Sequence, residues 1–91
     1  MARVIVTAAV EDGARWEAAF RTHKKLFREY SATALHYTVA ENNEVAIFMK
    51  VKKVSTFLEQ MAAPETAEAM AGDGVKRDTV RIFVLDKEVD L

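Results

Sequence analysis

Residues 36–50, which read HYTVAENNEVAIFMK, are typical of a β-hairpin in which both faces of the two strands are largely apolar. The pair Asn42-Asn43 at the centre favours a two-residue type I′ turn, because asparagine tolerates a positive φ better than most residues. A hairpin with one face in water alternates apolar and polar side chains. Because this hairpin does not, a further layer must cover each face of the sheet that it joins.

A two-residue turn fixes which residues lie opposite each other in the hairpin. It predicts five pairs, which are Ala40 with Val45, Val39 with Ala46, Thr38 with Ile47, Tyr37 with Phe48, and His36 with Met49. His36 is then expected on the face that carries Met49, and Tyr37 on the face that carries Phe48. Both faces remain dominated by apolar side chains under this pairing.

The rest of the chain predicts two further strands and two helices. The predicted strands are residues 3–10, 32–40, 45–51 and 79–86. The first predicted helix is residues 14–30. The second begins near Thr56 and breaks at Pro64, and Gly72 and Gly74 are its natural stops. The order β-α-β-β-α-β predicts an α+β, ferredoxin-like fold with a four-stranded antiparallel sheet and both helices on one face. A chain of 91 residues is expected to form a single domain, residues 1–91.

Two helices can cover only one face of such a sheet. An apolar second face would expose on the order of several hundred Å², which is at or beyond the largest patch of a typical monomer. At about 25 cal/mol per Å², covering it stabilises an assembly by about 10 kcal/mol before the costs of association. We therefore predict a two-fold homodimer in which the two sheets face each other.

This arrangement resembles the dimeric α/β-barrel superfamily, in which two ferredoxin-like subunits face their sheets to form a barrel. The segment STFLEQMAAPETAEAMAGDGV, residues 55–75, carries most of the resemblance. A broken second helix and a short glycine-containing turn before the last strand are common in that superfamily. It includes antibiotic-biosynthesis monooxygenase-like proteins, stress-responsive barrel proteins and haem-degrading enzymes. Haem-degrading members use a strand-one asparagine and a histidine on the second helix, whereas this chain has Thr7 and no histidine there, which disfavours haem chemistry.

The candidate catalytic residues are His23, His36 and Tyr37. His23 lies in the apolar stripe of the first helix, where either a general base in a pocket or a half-buried histidine fits. His36 is either a pocket residue or a hydrogen-bonded histidine in an interface. Tyr37, with Trp16 and Tyr30, could frame an aromatic pocket as in the cofactor-free monooxygenases that the chain resembles, although aromatic residues at helical spacing are more often core. The expected ligand-binding residues are Trp16, Phe20, His23, Phe27, Tyr37, Phe48 and Met49.

Composition argues against several other classes of function. The chain has no cysteine, and its two histidines lie on different predicted elements, so no metal site is expected. It has no glycine-rich phosphate loop followed by lysine and serine or threonine, and no cofactor is expected. A net charge of −1 gives no electrostatic case for nucleic acid. The apolar stretches are far shorter than the roughly 20 residues of a membrane span, so no membrane association and a cytoplasmic location are expected.

Two hypotheses remain for the function. The chain is either a homodimeric α/β-barrel protein that binds a small apolar or aromatic ligand, or a cofactor-independent monooxygenase acting on an aromatic or polyketide-like compound. A buried pocket beside His23, His36 or Tyr37 that is wide enough for a ring system would favour the enzyme. A core filled solid by aromatic side chains would favour the first hypothesis.

Overall fold

The computed structural model describes residues 2–29 and 33–91. The predicted end of the first helix at Tyr30 and the predicted start of the second strand at Ala32 lie outside the described residues. The strands are β1 (Ala2–Ala9), β2 (Leu35–Val39), β3 (Glu44–Val51) and β4 (Arg81–Leu85). The helices are α1 (Gly13–Phe20), α2 (Lys24–Glu29), α3 (Val54–Met61) and α4 (Pro64–Gly72), with a short 3₁₀ turn at Arg77–Thr79.

The four strands form one antiparallel sheet in the order β2-β3-β1-β4. The buried side chains of β1 and β3 pack against Trp16 and Phe20 of α1 and against Phe57 of α3, so the helices lie on one face of the sheet. The predicted α+β, ferredoxin-like fold is confirmed. None of the helices in the described part of the chain is both long enough and apolar enough to cross a membrane.

The first helical segment is two helices, so the prediction of one helix from 14 to 30 was wrong. The Thr22 hydroxyl donates to the Ala19 carbonyl at 2.6 Å, and the Thr22 and His23 amides bond to carbonyls three residues earlier. Such side-chain and 3₁₀-type bonds compete with the regular helical ladder and end it. A new turn starts at once, because the Phe27 amide bonds to the His23 carbonyl at 3.2 Å. His23 consequently lies at the break and not inside a helix.

The second helical segment breaks at Pro64, as predicted. Pro64 occupies the first turn of α4, where the absence of an amide hydrogen costs no helical bond. Ala63 before it has the extended backbone that a following proline favours, with φ −70° and ψ 148°. The helix that precedes the break starts at Val54, ahead of the predicted Thr56.

The hairpin loop has three residues and not two, so the predicted pairing was wrong by one residue. Val39 pairs with Val45, and the Ala40 amide bonds to the Glu44 carbonyl at 2.8 Å. Within the loop Asn43 alone has a positive φ, of 61°, which is the left-handed position that closes a three-residue turn. A shift of one residue moves every side chain of β2 to the other face of the sheet. The observed pairs are Leu35 with Met49, His36 with Phe48, Tyr37 with Ile47, and Thr38 with Ala46.

A contact between the loop and α1 accompanies this register. The Asn43 side-chain oxygen accepts a hydrogen bond from the Gly13 amide at 3.0 Å. A β-carbon at Gly13 would lie 2.6 Å from Cγ1 of Val39, so only glycine fits there without displacing β2. The start of α1 and the end of the hairpin therefore hold each other in place.

The face of the sheet away from the helices is called the open face below. A row of side chains crosses it from strand to strand, formed by His36, Phe48, Ile5 and Phe83. Phe83 is 47% exposed and Leu85 is 46% exposed. Because the register places Leu35, Tyr37 and Val39 on the helical face, the open face is apolar along this row but less apolar overall than predicted.

Candidate functional site

A cavity of about 70 Å³ lies between the sheet and the helices. Five of the seven predicted ligand-binding residues line it, namely Trp16, Phe20, His23, Phe27 and Met49. The cavity is walled by the helical face of the sheet, by α1 and α2, and by α3 and α4 through Met61 and Met70. The elements that form the core thus leave a small apolar space between them.

One wall of the cavity is aromatic. Trp16 and Phe20 are four residues apart on α1 and stack with ring centroids 4.6 Å apart and planes at 20°. Phe27 on α2 meets Phe20 edge to face at 5.0 Å. Such stacked and edge-to-face contacts stabilise aromatic pairs beyond the area they bury. Trp16 and Phe20 are buried, so this wall is a fixed part of the core.

A histidine and an aspartate meet at the cavity wall. His23 Nε2 lies 2.8 Å from Oδ2 and 3.1 Å from Oδ1 of Asp73, although the two residues are 50 positions apart in sequence. Asp73 follows α4 directly, and its amide bonds to the carbonyls of Ala69 and Met70, which holds the carboxylate toward His23. Asp73 is 9% exposed, and the His23 side chain is about a quarter exposed, at 27%.

This pair can orient a proton acceptor. A carboxylate that accepts the Nε2 hydrogen fixes the neutral imidazole in one tautomer and leaves Nδ1 as a hydrogen-bond acceptor. The other polar side chain lining this region, Thr66, donates its hydroxyl to the Gln60 carbonyl at 2.6 Å and so serves the local backbone. Asp73 was not predicted, because an aspartate between two glycines after a helix is typical of a helix end.

Tyr37 lies behind the aromatic wall and does not line the cavity. Its ring contacts Phe20 at 5.1 Å and Trp16 at 5.9 Å. Its hydroxyl donates to Glu17 at 2.5 Å and accepts from Arg21 Nε at 2.9 Å. The hydrogen bond with Tyr37, with the charges of Tyr37 and Glu17, raises the pKa of Arg21 above its ordinary value. Tyr37 therefore orients the Arg21 guanidinium beside the wall and contacts the rings from outside.

His36 and Phe48 lie on the other side of the sheet. Their ring centroids are 6.0 Å apart on the open face, in a shallow groove with Ile5 and Thr38. The structure therefore separates the two predicted catalytic histidines and brings only His23 to the cavity. Within the described residues no group of three histidine, cysteine, aspartate or glutamate side chains could hold a metal ion.

No family model matches the chain, and no curated protein matches its sequence. Solved structures do match it closely in shape. An antibiotic biosynthesis monooxygenase-like protein from Bordetella bronchiseptica superposes with a TM-score of 0.73 at 14% identity, over 97% of each chain. A mutant of SnoaB, a cofactor-independent oxygenase from Streptomyces nogalater, superposes with a TM-score of 0.68 at 12% identity, over 99% of this chain and 95% of SnoaB. The protein At3g17210 from Arabidopsis thaliana superposes over the whole of both chains, with a TM-score of 0.67 at 14% identity.

These neighbours define the class of fold. The chain has the ferredoxin-like fold of the antibiotic biosynthesis monooxygenase-like proteins, as its sequence resemblance predicted. At 12% to 14% identity the likeness shows the fold and carries no residue's role to this chain.

Proposed function

We propose that this protein is a homodimeric α/β-barrel protein that binds a small apolar or aromatic ligand between its sheet and its helices. The observation that carries the proposal is the apolar cavity with the His23–Asp73 pair at its wall. A concave apolar space with a few convergent polar groups is the usual form of a small-molecule site. In this proposal the rings of Trp16, Phe20 and Phe27 contact the ligand, and His23 accepts or donates one hydrogen bond to it.

The size of the cavity favours a small ligand over a polyketide. Its volume of about 70 Å³ is roughly half of the ~150 Å³ cavity that holds a benzene molecule. A single ring therefore requires some movement of the wall, whereas several fused rings require rearrangement of the core. Met61 and Met70 are partly buried and line the cavity, and methionine side chains adapt readily because they are unbranched.

The open face supports the proposed dimer. Its central row presents Phe48, Ile5 and Phe83 without a described helix over them. Lys50 and Glu44 lie on the same face near opposite ends of β3. Arg3 lies on this face beside Lys50, and Arg81 lies on it toward Glu44, so the charged residues that surround the apolar row are mainly basic. The apolar row is therefore the part of the face that a second copy would cover across a two-fold axis. These features favour a second copy of this chain as the partner.

Filling the cavity is expected to weaken ligand binding. Trp16 is the only tryptophan of the chain and lines the cavity, so its fluorescence reports on ligands there. We expect benzyl alcohol to change this fluorescence in a saturable way. Ala69→Leu places a larger side chain in the cavity and is expected to weaken that binding about tenfold or more, since a filled core resists further packing.

Ala71→Leu is the matched control, because Ala71 lies on the same helix but is exposed. It should retain the affinity of the wild type. Equal affinities of both variants and the wild type would place the ligand elsewhere and contradict the proposal.

A second candidate function is a cofactor-independent monooxygenase, which the His23–Asp73 pair at an apolar cavity favours. In such a reaction the substrate supplies the electrons, and His23 would accept its proton while the apolar walls exclude water. This candidate predicts oxygen uptake with small hydroxylated aromatic compounds, lost in His23→Gln and retained in His36→Gln on the opposite face. The monooxygenase candidate would be ruled out if the wild type took up no oxygen with these compounds, or if the wild type and His23→Gln took it up at equal rates.

A further inference from the structure

A second depression, called the outer groove below, adjoins the cavity at the edge of the sheet formed by β2. It has a volume of about 410 Å³ and is lined by Phe20, Arg21, Lys24, Phe27, Leu35 and Tyr37. Phe20 and Phe27 line the cavity as well as the outer groove. These two rings, with centroids 5.0 Å apart, therefore form the partition between the cavity and the outer groove.

The outer groove is aromatic and basic. Its charged lining residues are Arg21 and Lys24, and no carboxylate lines it among residues 2–28 and 33–91. Arg21 is already compensated, because its guanidinium lies 3.5 Å from Glu17 and its Nε donates to Tyr37. Lys24 forms no ion pair with residues 2–28 or 33–91, so among these residues it supplies the net charge of the groove.

Lys24 also lies next to the partition. It precedes Phe27 by three residues on α2, so the two side chains share one face of that helix. Lys24 and Phe27 therefore line the outer groove from the same side of α2. A ligand carboxylate placed at Lys24 would remain in contact with water. A carboxylate inside the apolar cavity would lose most of its hydrogen bonds to water, which is costly.

We propose that the ligand of this protein is an aromatic carboxylate, which binds with its ring in the cavity and its carboxylate in the outer groove at Lys24. This inference rests on the proposed ligand-binding function and adds the class of ligand and its orientation. Binding in this orientation requires the partly buried Phe27 side chain to move, because it lines both spaces and the cavity alone is smaller than a single ring needs. Phe20 and Tyr37 stay in place as the fixed part of the wall, because Phe20 is stacked on Trp16 and Tyr37 is hydrogen-bonded.

The test compares two probes of similar shape, benzoate and benzyl alcohol, through the fluorescence of Trp16. The wild type is expected to bind benzoate about threefold to fivefold more tightly, the range of an ion pair in partial contact with water. Lys24→Met should remove this preference by weakening benzoate alone. Lys25→Met is the matched control on the same helix, because Lys25 does not line the groove, and it should keep the preference. Added salt should reduce the preference in the wild type.

Each outcome decides between the two proposals. Equal affinity for the two probes in the wild type would overturn the carboxylate proposal and leave the ligand site standing. A preference for benzoate that survives Lys24→Met would overturn it as well. Failure of both probes to change the fluorescence would overturn the ligand-binding function, and the carboxylate proposal with it.

Discussion

Phe83→Glu is expected to weaken the proposed dimer by about a thousandfold. The Phe83 ring is 47% exposed in one chain, so covering the rest of it stabilises the dimer by roughly 1 kcal/mol or more at each of two symmetric positions. The variant also buries a carboxylate against the apolar row at both positions, which costs about 1–3 kcal/mol each. Together these effects reach about 4 kcal/mol, which is a factor of about a thousand in affinity. Sedimentation equilibrium of the wild type and the variant measures the difference.

The control for this variant is Leu58→Glu. Leu58 is 43% exposed on α3, so it resembles Phe83 in exposure but lies on the helical side of the sheet. It should leave the association of the chains unchanged. If Leu58→Glu weakens association to the same extent as Phe83→Glu, the open face is not the interface of the dimer. Circular dichroism of both variants establishes that they remain folded.

Phe57→Ala is expected to cause the largest loss of stability, about 3–5 kcal/mol in the free energy of unfolding. Phe57 is completely buried and packs with Val4, Val6, Met49 and Val51, where α3 meets the centre of the sheet. Removing the ring leaves a cavity that rigid strands close only in part. A domain of this size has a total stability of roughly 5–14 kcal/mol, so the variant loses about a fifth of it or more.

Urea denaturation at one fixed protein concentration measures this loss, since association also contributes to stability. Leu58→Ala is the neighbouring control, because its side chain is 43% exposed and loses little on truncation. We expect a change of about 1 kcal/mol or less there. Similar losses for the two variants would contradict the packing of α3 described above.

The fold was predictable from sequence because its elements differ in pattern. The strands are rich in β-branched and apolar residues, the helices repeat apolar residues on one face, and Pro64 marks the break between α3 and α4. The break after Phe20 was not predictable in the same way. It depends on the Thr22 hydroxyl taking up the Ala19 carbonyl, which is one of several conformations open to a threonine inside a helical pattern.

The hairpin register could not be predicted from the sequence of the hairpin alone. The sequence around Asn42-Asn43 fits both a two-residue and a three-residue loop. The observed loop is held by the bond between Asn43 and the Gly13 amide, which joins parts of the chain 30 residues apart. The one-residue difference from the predicted register changes the site, because it places Tyr37 on the helical face and Phe48 on the open face with His36.

The candidate site was predicted in part for similar reasons. Helical spacing was enough to group Trp16, Phe20 and Phe27, and the structure places all three around the cavity. The partner of His23 was missed, because nothing near Asp73 in the sequence points to a residue 50 positions away. Pairs of this kind follow from the way α4 returns to the break between α1 and α2, and they become visible only with the fold.

The most direct test of the account is the mass of the wild-type protein in solution. A single chain has a mass of 10.2 kDa. Static light scattering at micromolar concentration should report two chains for each particle, because the central row of the open face is covered only in the pair. A mass of one chain under these conditions would contradict the proposed barrel.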